Sequence, residues 1–368
     1  MKVVYPVCCG VDVHKSFFIA TIISTTSDIQ PNYSRKRFST FNNDIIRFAD
    51  WLSLNNCNDV CMESTGKYWI PVFNILESKN INVTIANPKW VKAVKGNKDD
   101  KKDSKWIGDL FRLGLVPGSF IPSKPIRVLR EFTRYRYKLV SMKSSEKNRF
   151  QNAFTVCNIG LESIEGYQIT KEQKLRMNTV RSHLTYIENS IKYLDDTIDS
   201  MVTPYESLIA LMCTIPGIER KSAITVISEI GNDVSLFGSS KRLCSWAGLT
   251  PGSNESAGKK KSVRISWAGV YLKPALVEIA HCAVKSTKSP YYKSKYEKLV
   301  KRRGKERAII AIVRMILTAI YNMLSTGEVW NPCDLFKLDM PDKLKAKQEE
   351  KAVKQAVKFL EKRGYLVS

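Results

Sequence analysis

Between Val7 and Lys15 the chain reads Val-Cys-Cys-Gly-Val-Asp-Val-His-Lys, an apolar run too short for a buried helix, with one carboxylate near its end. Read as a strand, it carries Asp12 into the middle of a sheet. A carboxylate among β-branched neighbours is costly to bury unless a cation meets it, so the segment asks for a Lys or Arg partner or a metal ion. Taken alone, an Asp closing a strand before a turn is the simpler account. Three further carboxylates in comparable settings shift that balance.

Phe17 to Ser24 and Tyr33 to Phe41 are two more strand candidates around a polar turn at Asp28 to Asn32. Ile45, Phe48, Trp51 and Leu52 give Phe41 to Asn56 a helical spacing, with Asn42 or Asn43 as cap. Asp59 to Glu63 returns as a short strand ending in a carboxylate, then turns through Ser64 to Lys67 into a Tyr-Trp-rich helix. Ile81 to Ala86 is a last strand, stopped by Asn87-Pro88, and Trp90 to Val94 opens another helical pattern. Three strands, helix, strand, helix, strand, helix is the order of the ribonuclease H-like fold. Within Asn97 to Leu113, Asp100 and Asp103 stand three apart, so a helix there shows both on one face, seated by Ile107, Leu110 and Phe111. Acids at a helix start are commonly just solvated and favoured by the helix dipole. Together with Asp12 and Glu63 they make a four-carboxylate cluster the economical explanation. Hard oxygen ligands of that number suit Mg²⁺ or Mn²⁺, and a two-metal site serves phosphoryl transfer.

The charge narrows the partners. Fifty-nine Lys and Arg against 35 Asp and Glu leave a formal +24 over 368 residues, which points to a polyanion. Nucleic acid leads over a membrane surface, because no 18-residue apolar run, signal peptide or lipidation motif is evident. Nine scattered cysteines without CxxC pairing suit reduced thiols in a cytoplasm, with Cys57 and Cys61 in the core. Three histidines leave little material for histidine catalysis.

After Pro125, Val128, Phe132, Tyr135, Leu139 and Met142 recur at steps of four and three, and Met177, Val180, Leu184, Ile187, Ile191, Leu194, Ile198 and Met201 do so for longer. Two such helices joined through Gly160 to Thr170 predict an antiparallel coiled-coil hairpin, or else a plain helical linker. Arg130, Arg134, Arg136, Lys138, Lys143 and Lys147 fall on the expected outer side of the first helix, where they could meet nucleic acid. Leu208 to Cys213, Ile215-Pro216-Gly217-Ile218 and Ser222 to Ile230 read as helix, tight turn, helix. That resembles half of a helix-hairpin-helix module, whose turn offers N–H groups to phosphate, though a structural turn fits as well. Trp246 to Pro251 then leads into a Gly-Ser loop, Gly252 to Gly258, followed by Lys259, Lys260, Lys261 and Arg264. A serine beside cations suits phosphodiester chemistry, since the cations hold the phosphate as an alkoxide attacks. Composition alone equally describes a solvated loop.

Gly10-Val11-Asp12-Val13-His14-Lys15, Met62-Glu63-Ser64-Thr65-Gly66 with Tyr68, Asn87-Pro88 and Asp100-Lys101-Lys102-Asp103-Ser104 together resemble the DEDD signature of the insertion-sequence-110 family of transposases, whose N-terminal domain is RuvC-like. The resemblance gives Asp12, Glu63, Asp100 and Asp103 the four metal-ligand places, with Asp99 a rival for the third. Gly248-Leu249-Thr250-Pro251, the Ser256 to Lys259 stretch and Arg264-Ile265-Ser266 with Gly269 are similar to that family's C-terminal domain. Ser256 falls where the family carries its nucleophile, although Ala257 separates it from the glycine and Ser253 competes. The implied fold class is α/β plus α: a ribonuclease H-like domain (1–125), an antiparallel coiled-coil hairpin (126–203), a mainly helical transposase domain (204–330) and a basic tail (331–368).

The resemblance implies a Mg²⁺-dependent recombinase that excises and inserts its own mobile element. A noncoding bridge RNA would pair with donor and target DNA, and a 5′-phosphoserine link would conserve the bond energy, so no ATP site is expected and no Walker A sequence is found. The carboxylates of one subunit would work with the serine of another in a tetramer of two dimers, in a bacterial or archaeal cytoplasm at the nucleoid. Two rivals remain: a metal-dependent structure-specific endonuclease using water, and a noncatalytic nucleic-acid-binding protein.

Overall fold

The structure is a computed structural model that describes the chain except for residues 1, 26–29, 65, 92–99, 157–169, 252–254, 257–258, 261–263, 288, 333, 335–341 and 363–368. For 100–101, 255–256, 259–260 and part of 342–362 it describes the backbone alone. The chain divides into two compact units, Met1–Ile121 and Pro122–Ser368.

In the first unit β1 (Val7–Val13), β2 (Phe17–Thr25) and β3 (Pro31–Ser39) form an antiparallel meander. Helix α1 (Asn42–Leu54) follows, then β4 (Asp59–Glu63), α2 (Trp69–Ser78), β5 (Asn82–Ala86), α3 (Pro88–Val91) and α4 (Asp100–Arg112). Strands β4 and β5 run parallel to β1, giving the sheet order β3-β2-β1-β4-β5. This mixed five-stranded sheet has the strand order and directions of the ribonuclease H-like fold. Because side chains alternate along a strand, β1 serves two cores. Cys9, Val11 and Val13 join Ile45, Phe48, Leu52, Val72 and Leu76 of α1 and α2, whereas Cys8 joins Ile23, Cys61, Val91, Ile107 and Phe111 on the side of α3 and α4. Cys57 and Cys61 are buried as expected, and burial pushes both thiols up to about 12, so they act as apolar packing groups.

The start of α1 differs from expectation. Phe41 occupies the N-cap position without a side-chain cap, and both Asn42 and Asn43 lie inside the helix. Asp44 binds backward instead, accepting from Ser39 Oγ at 2.5 Å and so tying the helix to the end of β3. Helix α4 rests directly on β1: a methyl group built on Gly10 would lie 2.2 Å from Ser104 O and 2.3 Å from Gly108 N. No side chain separates the two backbones there.

The second unit opens with two long helices, α5 (Lys124–Val156) and α6 (Lys171–Val202), the latter started by a capping box between Thr170 and Gln173. Arg136 binds Asp195, Lys143 binds Glu188 at 2.8 Å, and Glu146 lies 3.2 Å from His183. Partners ascending on one helix and descending on the other make the pair antiparallel. The α6 seam is where the spacing put it, with Val180, Ile187, Leu194 and Ile198 buried. On α5 the expected seam is only partly right. Phe132 and Leu139 pack against α6, but Val128, Tyr135 and Met142 are exposed, and Ile126, Leu129 and Thr133 are buried in their place. The cause is a competing partner: the first turns of α5 pack on α8 (Arg220–Ile230), preceded by α7 (Glu206–Met212). There Thr133 Oγ1 meets Ser228 Oγ at 2.9 Å.

The rest comprises α9 (Ser240–Trp246), the two-stranded ribbon β6 (Glu255–Ser256) and β7 (Lys259–Lys260), α10 (Leu272–Lys285), α11 (Tyr291–Arg303), α12 (Lys305–Thr326) and α13 (Asp342–Lys362). Contrary to the expectation of no 18-residue apolar run, helix α12 is long and apolar enough by composition to cross a membrane. Ile312, Val313, Ile316, Leu317 and Ile320 are nevertheless buried within this unit.

Candidate functional site

In the first unit β1 and β4 run parallel, with Gly10 opposite Cys61 and Val11 opposite Met62. One residue further along, Asp12 ends up beside Glu63, the last residue of β4. Both carboxylates also belong to one face of the sheet. Asp12 shares the parity of Cys8 and Gly10, Glu63 that of Cys61, and Cys8 and Cys61 line the core beneath α4.

The facing element is the N-terminal end of α4. Ser104 sits over Gly10 and its Oγ shares a 2.8 Å hydrogen bond with Thr21 Oγ1 in the interior, so this turn of helix is fixed to both β1 and β2. Asp103 immediately precedes Ser104, and Asp100 is the first helical residue, one turn earlier. Three of the four predicted ligands are thus described in full, at two adjoining strand ends and on the helix above them; the Asp100 side chain and all of Asp99 lie outside the described residues.

Asp12 is 8% exposed, and its Oδ2 lies 3.2 Å from His14 Nε2. The sequence reading asked for Lys, Arg or a metal as partner and overlooked His14. His14 is the first residue beyond β1, so the strand alternation that places Asp12 does not extend to it. Oxygen donors of this kind fit a hard divalent cation. Among the described residues, however, no three Asp, Glu, His or Cys side chains converge closely enough to hold a metal. Asp12, Glu63 and Asp103, all three described, therefore do not meet at one point; a metal would need them drawn together with Asp100.

In the second unit Ser256 lies in the β6–β7 ribbon, with its Cα paired to that of Lys259, and Glu255 paired to Lys260. Side chains of the ribbon, and Ser253 and Lys261 altogether, lie outside the described residues. The root of this ribbon is described and closely built. Pro251 and Ile265 form an antiparallel bridge. A methyl on Gly248 (φ +71°) would lie 2.6 Å from Ala268 O, and one on Gly269 (φ +72°) 2.4 Å from Ala247 O. The two segments singled out as Gly-Leu-Thr-Pro and Arg-Ile-Ser-x-x-Gly are therefore locked back to back, and both positions demand glycine. Arg264 is exposed at the foot of the ribbon.

Two expectations about phosphate contacts change. The turn at Gly217 (φ +89°) is pressed on α10, where a methyl would lie 2.5 Å from Ala283 N, so it is a packing turn. Of the six cations on α5, four are engaged within the unit. Arg130 donates to Ser228 O and Glu229 O, Arg134 grips the buried Glu229 carboxylate with two 2.7 Å bonds, Arg136 binds Asp195, and Lys143 binds Glu188. Lys138 and Lys147 remain exposed. Charge spacing along a helix does not reveal that a neighbour supplies the counter-ions.

Known proteins resemble this chain along most of its length. A family model described as a transposase of the IS110 DEDD type matches residues 9–159, spanning all four carboxylates, and one described as transposase IS116/IS110/IS902 family matches residues 209–297, spanning Ser256. The pilin gene-inverting protein of Moraxella lacunata is 24% identical over 337 residues, covering 86% of this chain and 94% of that protein. A putative transposase, y4qE, of Sinorhizobium fredii is 23% identical over 267 residues, covering 69% of this chain and 65% of that protein. Among solved structures, T. thermophilus RuvC in complex with a Holliday junction substrate covers 31% of this chain and 100% of its own, at 12% identity and a TM-score of 0.25. The Fowlpox virus resolvase with Holliday junction DNA covers 28% of this chain and 72% of its own, at 20% identity and a TM-score of 0.20. The fold assignment rests on strand order rather than on those scores. With two models of one family matched in order over well over half its length, the chain belongs to the IS116/IS110/IS902 family of transposases.

Proposed function

We propose that this transposase excises and inserts a mobile element under the guidance of a noncoding bridge RNA, through metal-dependent phosphoryl transfer and a covalent 5′-phosphoserine intermediate on Ser256. The observation that carries the reading is the placement of Asp12 and Glu63 on one face at adjoining strand ends, beneath the helix turn that bears Asp103. With Asp100 these residues would hold Mg²⁺ or Mn²⁺, which when bound polarises the scissile phosphodiester and the attacking oxygen.

The protein's own groups do the rest. The strand ladders fix Asp12 and Glu63, and His14 Nε2 lies 3.2 Å from the Asp12 carboxylate. Ser256 Oγ attacks phosphorus and gives up its proton, the bond from phosphorus to the 3′ oxygen breaks, and that oxygen takes up a proton as it leaves. Lys259, Lys260, Lys261 and Arg264 neutralise the phosphate and hold the strand. Rejoining reverses these steps with a different 3′ hydroxyl and needs no nucleotide. We assign α5 and α6 as a coiled-coil hairpin that serves subunit assembly, and the active unit as a tetramer of two dimers acting on donor and target DNA.

The test compares Asp12→Asn and Ser256→Ala on DNA from the element's ends, supplied with RNA that copurifies from the native locus. Wild-type protein should yield a denaturation-resistant protein–DNA adduct, and neither variant should. Ser256→Ala cleaving at the wild-type rate without adduct would establish water as the nucleophile, as in a structure-specific endonuclease. Loss of RNA dependence would remove the guide from the scheme.

A further inference from the structure

Trp267 is 97% exposed, the most exposed of the large apolar side chains among the described residues, and Val270 beside it is 68% exposed. The backbone that carries it is held on both sides. Ile265 is bridged to Pro251, Gly269 is locked against Ala247, and Lys273 Nζ donates to Ser266 O at 2.6 Å. A large flat apolar ring is thus kept in water by a fixed mount at the foot of the Ser256 ribbon. Burying such a ring against a partner recovers hydrophobic and dispersion free energy without the cost of ordering a loose loop.

The surrounding sequence indicates what the partner is. From Ser256 to Val277 there is no acidic residue, while Lys259, Lys260, Lys261 and Arg264 supply four cations besides Lys273, which holds Ser266 O. An aromatic face in a basic, acid-free segment is how proteins hold single-stranded nucleic acid: cations follow the phosphates, and a base stacks on the ring whatever its identity. A paired base inside a duplex offers no free face, so the ligand is an unpaired one. We propose that Trp267 is a positioning residue that stacks on an unpaired base of the DNA strand at the serine ribbon and holds that strand for attack. This rests on the reading of Ser256 as the site of DNA chemistry.

The experiment uses the full-length protein and two DNA probes of one sequence, a continuous duplex and the same duplex with a short single-stranded gap carrying a fluorescent purine analogue. Affinity is measured at one salt concentration, together with quenching of the analogue. Wild-type protein and Trp267→Phe should favour the gapped probe and quench it. Trp267→Ala should bind the gapped probe roughly tenfold more weakly, with quenching lost and affinity for the continuous duplex unchanged. Equal loss on both probes, or no loss on the gapped one, overturns the proposal. So does sedimentation showing that Trp267→Ala breaks an oligomer while gapped-DNA binding persists, since the indole would then face a second copy of this chain. Adduct formation separates the two readings: Ser256→Ala failing to prevent it sinks the phosphoserine scheme and leaves the gap preference standing, whereas unchanged gap binding in Trp267→Ala sinks only the stacking role.

Discussion

Gly10→Ala tests whether the contact between sheet and helix sets the chemistry. The added methyl would lie 2.2 Å from Ser104 O and 2.3 Å from Gly108 N, and both obstacles are backbone, so no rotamer change relieves them. Restoring ordinary contact requires α4 to withdraw by about 1 Å, carrying Asp103 and Asp100 with it. Overpacking of this kind costs roughly 1–3 kcal/mol of stability, and a misplacement of about 1 Å at a reacting centre costs on the order of 100-fold in rate. Gly108→Ala is the internal comparison. Its methyl would meet first the tip of the buried Ile23 side chain, Cδ1 at 2.7 Å, and then Gly10 N at 3.2 Å, a smaller demand on α4 that alanine's helix preference of up to ~1 kcal/mol over glycine partly offsets. Urea midpoints and single-turnover DNA cleavage should therefore separate the two, with Gly10→Ala folded but nearly inactive and Gly108→Ala the milder change. A folded Gly10→Ala protein cleaving within about twofold of wild type would refute the argument, because the height of α4 over β1 would then be immaterial.

Other outcomes follow from specific contacts. Titration with Mn²⁺ by calorimetry should give a binding signal that Asp12→Asn removes while the thermal midpoint is retained; a signal that survives the substitution would clear Asp12 of a ligand role. Arg134→Met leaves the Glu229 carboxylate, which is 4% exposed, without its bidentate partner, and should lower unfolding free energy by about 3 kcal/mol, much of it recovered in the double variant with Glu229→Met. Hydrogen bonding from Arg136 holds the Asp195 carboxyl below the usual carboxylate range, so its contribution is present above the ordinary Asp value near ~3.9 and is lost as pH falls through the lower folded one. Helicity followed in acid should show that loss for wild type and not for Asp195→Asn. DNA affinity should fall steeply with salt, and a flat response would contradict the role given to Lys259, Lys260, Lys261 and Arg264.

The sequence carried the first unit well because strands buried on both faces and a helix with one apolar face leave distinct periods; Asp12, Glu63, Ile107 and Phe111 could be placed from spacing alone. It could not show that Gly10 and Gly108 touch, since a glycine in a strand announces close approach without naming what approaches. The seam of α5 was misread for a related reason. Its apolar residues divide between α6 and α8, and a single helical period cannot express two partners at different angles. His14 lies just past the end of β1, where strand alternation no longer says which face a side chain takes. The fate of Arg130 and Arg134 depended on Ser228 and Glu229, almost a hundred positions away.

The contacts between α5 and α6 key the antiparallel pair like the wards of a lock. Sliding α6 by seven residues in one direction would set Lys143 against Arg181, and in the other would leave Arg136 facing the apolar Val202. A heptad pattern that tolerates slippage by itself is thereby confined to one alignment. Helices α5 and α6 therefore close on each other at a single height.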